Sequence, residues 1–299
     1  MTTELTVTRL KRSQSARLEN WSRAFYRFRQ SWLSMIGLAL VVALILIAVF
    51  APFIVPHPEQ VQGATNTAAR FQPPSAAAWF GTNALGQDML SLVVAGSRVS
   101  LFSGLAVVVI AVVVGTAVGA VAGYFGGWID EILMRLTDLL LTVPSLILAM
   151  AVAAALGAGV LNMIIAISLT WWPVYARLVR GEVIGKKEEQ FIVAARALGA
   201  NWVRVLCRHI LPNIVSPIVI KASLDVGFAI LTVASLGFVG IGVKPPTPEW
   251  GTLLSGARSY MPGYWWTAVA PGMAIFIAVL AFNLLGDGLR DVLDPKARR

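Results

Sequence analysis

Long apolar runs without charge constrain this chain more than any other feature. Trp32 to about Ile54, Val99 to Ile129 and Leu139 to Ala176 contain no Asp, Glu, Lys or Arg. A bilayer-spanning helix needs about 20 apolar residues, because the hydrocarbon layer is about 30 Å thick and each residue rises about 1.5 Å. Charged residues make up 13% of the 299, with 57% hydrophobic, against roughly 25% charge in soluble domains. That balance excludes a conventional soluble enzyme, and it excludes disorder, which needs low hydrophobicity and high charge.

The first run reads as a span. It follows a basic leader, and Pro52 and Pro56 stand where a signal peptide would show a small-residue cleavage site. Span two lies within Val99–Phe125 and ends at the turn signal Gly123-Tyr124-Phe125-Gly126-Gly127. As one helix, Leu139–Ala176 would be about 57 Å long, so Gly157-Ala158-Gly159 is expected to divide it into span three, 129–156, and span four, 160–180. Span five starts after Pro212 and ends near Gly242; span six runs from about Trp266 to Leu285. The expected fold class is an all-α membrane protein with six transmembrane helices.

Basic residues set the orientation. Seven lie in the leader, seven in the segment from Arg177 to Arg208 and four in the tail from Arg290, against Arg70, Arg98, Lys244 and Arg258 on the other side. Both termini are therefore expected to be cytoplasmic. The expected organisation is a cytoplasmic leader 1–31, a first span 32–54, an extracytoplasmic loop 55–97, a five-helix core 98–288 containing a cytoplasmic segment 186–212, and a tail 289–299. Trp21, Phe25, Phe28 and Trp32 recur at helical spacing among Arg23, Arg27 and Arg29. They suit either an amphipathic helix on the membrane face or an extension of span one.

Catalytic and cofactor chemistry finds little support. The net charge of +9 is clustered beside apolar runs, which marks topology rather than a nucleic-acid surface. Cys207 is the single cysteine, and His57 and His209 stand far apart, so no metal set is expected. Gly181-Glu182-Val183-Ile184-Gly185-Lys186-Lys187 lacks the spacing and the Ser/Thr of a phosphate-binding loop. No ATP hydrolysis and no cofactor are expected of this chain.

Charges inside the spans are few. Lys221 and Asp225 are four apart and share a helix face. They read either as a pathway pair or as a mutually neutralising pair inside the bundle. Arg135 and Asp138 invite the same two readings. The scarcity of deep carboxylates argues that transport energy enters from elsewhere.

The segment 186–212 is the most informative. Glu188 and Glu189 suit a helix N-terminus; Phe191, Ala194, Ala195 and Leu198 then form a small apolar face, and Gly199 is a natural stop. A second helical stretch, Trp202–Ile210, leads to Pro212. A short helix held between two spans has an apolar face that either lies on the membrane or inserts into a groove on a partner.

These residues resemble the EAA loop of ABC-importer permeases: Ala194-Ala195, three residues, Gly199, then Leu211-Pro212 at the family distance. Val193 stands where the family has Glu, and His209 where it has Ile. Phe80-Gly81-Thr82-Asn83-Ala84-Leu85-Gly86-Gln87-Asp88 resembles the FGTDxLGRD signature of the dipeptide/oligopeptide/nickel permeases, with Asn83 and Gln87 at the Asp and Arg positions. Gly123-Tyr124-Phe125-Gly126-Gly127-Trp128, Ala176–Gly181, Pro245–Gly251 with Glu249-Trp250, and Phe282–Pro295 match in order, and the leader plus span one fits the C-type subunit.

The resemblance implies an inner-membrane subunit of a bacterial importer that pairs with a related B-type permease, two ATPase subunits holding ATP and Mg, and an extracytoplasmic binding protein. Phe191, Ala194, Ala195, Leu198, Gly199, Leu211 and Pro212 would then couple to the ATPase. Gly81, Thr82, Gly86, Asp88 and Trp250 would contact the binding protein or another partner. Peptides are the leading cargo class, with nickel chelates, opines and glutathione as alternatives. A stand-alone secondary carrier is the reading from a different class.

Overall fold

The computed structural model describes residues 28–293. Among them the regular structure is helical, apart from one antiparallel bridge between Thr82 and Asp88. The leader residues Trp21 and Phe25 and the tail beyond Leu293 lie outside the described residues. Phe28 is buried close to Gly288. Ser31 is extended and caps the next helix by accepting from the Ser34 amide. Ser31 therefore separates residues 28–30 from the first span.

Helix α1 (Trp32–Ile54) coincides with the first apolar run. It packs on α9 and α2 along one face through Val41, Leu44 and Ala51, and leaves Val42, Ile45, Val49 and Phe53 exposed. An apolar outer face of this kind is what a hydrocarbon solvent requires.

Helix α2 (Met89–Phe125) has 37 residues and starts nine residues before the expected core boundary. Residues 89–97 are therefore helix, not loop. The cause is local. Asp88 is an N-cap whose carboxylate accepts from the Ser91 amide at 2.8 Å and the Ser91 hydroxyl at 2.7 Å. Arg98 interrupts the charge-free sequence inside this helix, and its polar residues Ser91, Ser97 and Ser100 are all buried.

The expected span three is corrected. It is two helices, α3 (Gly127–Thr142) and α4 (Ser145–Leu156), bent by 91°. Pro144 has no amide to donate and disfavours helical geometry at Val143, and both residues are extended. The break at Gly157-Ala158-Gly159 falls as expected: Gly157 ends α4 at φ 84° and Gly159 precedes α5 (Val160–Lys187).

Two helices complete the basic end. α6 (Gln190–Ala197) is short, and α7 runs without interruption through Trp202–Val239. Within α7 the residues Leu206–Ile210 form one π-helical turn. Pro212 cannot donate to the carbonyl four residues back and its ring crowds that carbonyl, which widens the preceding turn. The Asn213 side chain donates to the His209 carbonyl at 2.6 Å. Beyond α7 come α8 (Trp250–Ala257) and α9 (Trp266–Leu293).

Helices α1, α2, α7 and α9 are each long and apolar enough to cross a membrane, and α3 with α4 qualifies as one bent pair. In α5, Asn162, Trp171, Trp172, Pro173 and Tyr175 dilute one half and Arg177, Arg180, Glu182, Lys186 and Lys187 charge the other.

The most extensive packing is α2 on α5. Its cause is a stripe of Gly115, Gly119 and Gly123. A Cβ at Gly115 would lie 2.5 Å from the Tyr175 Cβ, one at Gly119 would strike the Ala176 carbonyl, and one at Gly123 would lie 2.9 Å from the Arg180 carbonyl. This small-xxx-small spacing brings two backbones together, as membrane helices require when no hydrophobic driving force acts between them.

Candidate functional site

At the basic end, α6 is a knob with two unlike sides. Ile192 is fully buried among Ala120 of α2, Val179 and Val183 of α5, and Val205, Leu206 and Ile210 of α7. Burial of one such side chain stabilises by about 1.5–3 kcal/mol. On the other side Phe191, Val193 and Leu198 are exposed, Leu198 at 89%. Ala194 and Gly199 are exposed beside them, whereas Ala195 is half-buried on the Ile192 side.

The knob is bounded by specific geometry. Glu189 precedes α6 and pairs with Lys186 at 2.6 Å instead of capping the helix. Gly199 takes φ 83°, where its amide donates to the Arg196 carbonyl at 2.9 Å and the Ala200 amide donates to that of Ala195 at 3.1 Å. Asn201 then caps α7 by accepting from the Arg204 amide. Leu211 is half-buried against the Ile192 cluster and Pro212 is exposed. The residues expected to couple therefore divide. Phe191, Ala194, Leu198 and Gly199 face outward, and Leu211 and Ala195 face in. Ile192, the residue that seats the knob, was absent from the sequence reading, although its position four before Arg196 placed it on the opposite stripe.

Inside the bundle, Lys221 donates to Asp225 at 2.6 and 2.8 Å. The Tyr175 hydroxyl of α5 donates to the same carboxylate at 2.7 Å. Asp225 is buried and the Lys221 side chain is 40% exposed. Tyr175, hidden in an apolar run, makes the pair a three-residue link between α5 and α7. Arg135 and Asp138 do not pair. Arg135 binds Glu131 one turn back at 2.6 Å, and Asp138 binds Arg177 of α5. Arg180 forms a second bond between α5 and α3, to Asp130 at 2.5 and 2.6 Å.

At the far end the signature residues are turned inward. Gly81, Thr82, Gly86, Asp88 and Trp250 are all buried. The Thr82 hydroxyl donates to the Ala69 carbonyl at 2.5 Å and accepts from the Gln72 amide at 2.8 Å. Gly81 and Gly86 take positive φ, and the Asn66 carbonyl crowds the place a Gly86 Cβ would occupy. Trp250 donates from its indole to the Val93 carbonyl at 2.9 Å. Surface at this end comes from other residues. A cleft of about 430 Å³ is lined by Phe71, Asn83, Leu85, Pro246, Thr252 and Tyr260.

Glu249 is fully buried and caps α8 by accepting from the Gly251 and Thr252 amides at 2.9 Å and from Ser100 at 3.1 Å. Burial pushes its carboxyl above the ordinary range, and those three hydrogen bonds oppose the rise. Among the described residues, no group of three or more His, Cys, Asp or Glu is placed to hold a metal ion.

Comparison with known proteins gives the family. Residues 115–299 match the family described as binding-protein-dependent transport system inner membrane component. Residues 19–74 match the N-terminal transmembrane domain of oligopeptide transport permease C. The chain is 44% identical over 278 residues to a dipeptide transport system permease protein DppC of Alkalihalophilus pseudofirmus, covering 93% of this chain and 90% of the relative. It is 40% identical to a probable D,D-dipeptide transport system permease protein DdpC of Escherichia coli, with 93% and 92% covered. A glutathione transport system permease protein GsiD of Pectobacterium atrosepticum is 42% identical over the same shares.

Proposed function

We infer function from the premise that this chain belongs to the family of binding-protein-dependent transport system inner membrane components. It is the inner-membrane permease subunit of an ABC importer for peptides. The relatives named for dipeptides and for glutathione are about equally similar, and both names denote small peptides. The chain contributes half of the pathway, and a related permease contributes the other half. Two ATPase subunits supply the energy and hold the nucleotide, and an extracytoplasmic binding protein delivers the cargo.

The observation that carries this reading is the divided knob. Ile192 fastens α6 into the bundle while Phe191, Val193, Ala194 and Leu198 remain exposed. A helix fixed by its neighbours on one side and apolar on the other suits insertion into a groove of a soluble partner. In this reading α1, α2, α3–α4, α5, α7 and α9 make six crossings, both termini are cytoplasmic, and segment 186–212 is the coupling segment. ATP binding draws the ATPase subunits together, the knobs follow, and the cavity between the permeases opens outward in alternating access. The cleft beside Phe71 and Tyr260 then faces the binding protein.

The test is reconstitution of the complete transporter in proteoliposomes, with labelled dipeptide and labelled glutathione as competing cargoes. Uptake is expected only with ATP inside or outside according to orientation, with both ATPases and with the binding protein. Accumulation by this chain alone would overturn the importer reading in favour of a stand-alone carrier.

A further inference from the structure

Four features converge where the inner end of α2 meets the knob. The Arg196 guanidinium lies over the Tyr124 ring, 5.0 Å from its centroid. Phe125 and Trp202 lie 5.3 Å apart, centroid to centroid. Lys187 donates to the Gly123 carbonyl at 3.1 Å. Tyr124 also packs against the cluster that buries Ile192. Three successive residues of one turn signal thus hold the two ends of α6: Lys187 before it, Arg196 within its last turn, and Trp202 after it.

Arg196 has few other options. Among the described residues it forms no ion pair, and its Nε is buried without a hydrogen-bond partner. Arg196 is half-buried, and where its Nε is enclosed the aromatic face offsets part of the lost hydration. The contact therefore fixes Arg196, and with it α6, against α2.

Helix α2 reaches from this contact to the far end. Its 37 residues span about 55 Å at 1.5 Å per residue. Its other terminus is the Asp88 cap in the signature loop, and its first turns accept the Trp250 indole at Val93 and hold Glu249 through Ser100. One rod therefore touches the knob at one end and both connecting segments, around Asp88 and around Trp250, at the other.

We propose that Tyr124 and Arg196 form a positioning pair that transmits displacement of the knob into α2, and through α2 to the segments around Asp88 and Trp250. This route is additional to α5 and α7, which adjoin the knob in sequence. It rests on the importer reading above, because only a partner that moves the knob gives the pair anything to transmit.

The experiment uses the whole transporter, reconstituted with its binding protein. Tyr124→Leu keeps bulk and loses the ring; Tyr124→Phe keeps the ring and loses only the hydroxyl. Arg196→Met and Arg196→Lys make the same comparison from the other side. Basal ATPase activity and copurification of the ATPase subunits are expected to stay unchanged in all four. Stimulation of ATPase by loaded binding protein is expected to fall about threefold to tenfold in Tyr124→Leu and Arg196→Met. Tyr124→Phe should retain it fully and Arg196→Lys in part.

Equal stimulation in Tyr124→Leu and Tyr124→Phe would overturn the proposal, as would equal stimulation in Arg196→Met and the parent. Should Tyr124→Leu fail to accumulate in the membrane, the Arg196 pair alone decides. A parent transporter that shows no stimulation at all would count against the importer reading, not against this contact.

Discussion

Asn83 and Gln87 are partners: the Asn83 amide donates to the Gln87 side-chain oxygen at 2.9 Å. Asn83 accepts in turn from the Leu85 and Gln87 backbone amides, and Gln87 donates to the Gln60 and Ala64 carbonyls. The signature this loop resembles carries Asp and Arg at these places. A neutral pair thus occupies positions where an ion pair would fit, with the same backbone contacts available to either.

Asn83→Asp alone is expected to destabilise the loop by about 1–3 kcal/mol, because a carboxylate would then face the Gln87 oxygen with no donor between them. Adding Gln87→Arg should restore most of that loss. Limited proteolysis of the 55–88 segment reads both effects. A double variant as labile as the single one would show that the two sites are independent.

The knob variants separate docking from folding. Leu198→Asp changes a residue that is 89% exposed, so membrane levels should stay within about twofold of the parent, as for surface changes generally. Copurification of the ATPase subunits should be lost. Ile192→Asp, at a fully buried site, should instead lower the amount of folded chain. Retained ATPase binding in Leu198→Asp would place the docking face elsewhere.

Asp225→Asn leaves Lys221 without its counter-charge and is expected to cost about 1–3 kcal/mol, discounted because the lysine is partly exposed. Lys221→Met with Asp225→Asn removes both charges while leaving Tyr175 an acceptor. This double variant should recover thermal stability and transport to within about threefold. Recovered stability without transport would assign the pair to the pathway.

Glu249 should give the fold a pH dependence of definite sign. Its carboxyl is raised by burial, so the folded state holds the proton more tightly than the unfolded state. That contribution is present below the unfolded pKa and is lost as pH rises through the folded pKa. The Tm of the detergent-solubilised protein should therefore fall more steeply with rising pH in the parent than in Glu249→Gln. The variant should also lose about 1 kcal/mol at low pH, where its amide nitrogen cannot accept from Thr252. Parallel Tm–pH curves would exclude Glu249 as the titrating group.

Gly119→Leu would drive a side chain into the α5 backbone at Ala176 and Arg180, an overpacking that costs about 1–3 kcal/mol or more. Gly181→Ala on the facing helix adds a carbon with nothing within 4 Å and should be tolerated. The comparison is made on detergent-solubilised protein by thermal unfolding. Equal tolerance at both positions would remove the glycine stripe as the cause of the α2–α5 packing.

Charge-free runs located α1, because hydrocarbon excludes charge, and glycine turn signals inside such runs located the end of α2 and the 157–159 break. They missed the start of α2, since Arg98 interrupts the charge-free sequence within the helix, while Ser91 and Ser100 are buried against Asp88 and Glu249. They also missed the elbow at Pro144, a single residue inside an unbroken apolar run. The Gly115, Gly119, Gly123 spacing was present in the sequence and would have identified the α2–α5 contact. The signature residues were recognised as a motif, but their inward direction was not legible, because a motif records which residues recur and not which side of a loop they face. The outer half of the knob was readable from helical spacing. Its seat depended on Ile192 meeting Val179, Val183 and Ile210, which a linear pattern does not bring together.

The wide turn at Leu206–Ile210 acts as a phase setting. An α-helix turns about 100° per residue, so one residue gained or lost there rotates everything before it around the axis relative to everything after it. The azimuth of Val205, which belongs to the cluster that seats Ile192, with respect to Lys221 and Asp225 is thus set by five residues and the proline that follows them. Two chains with identical docking faces and identical membrane segments, but different ladders at this turn, would present the same face in different directions.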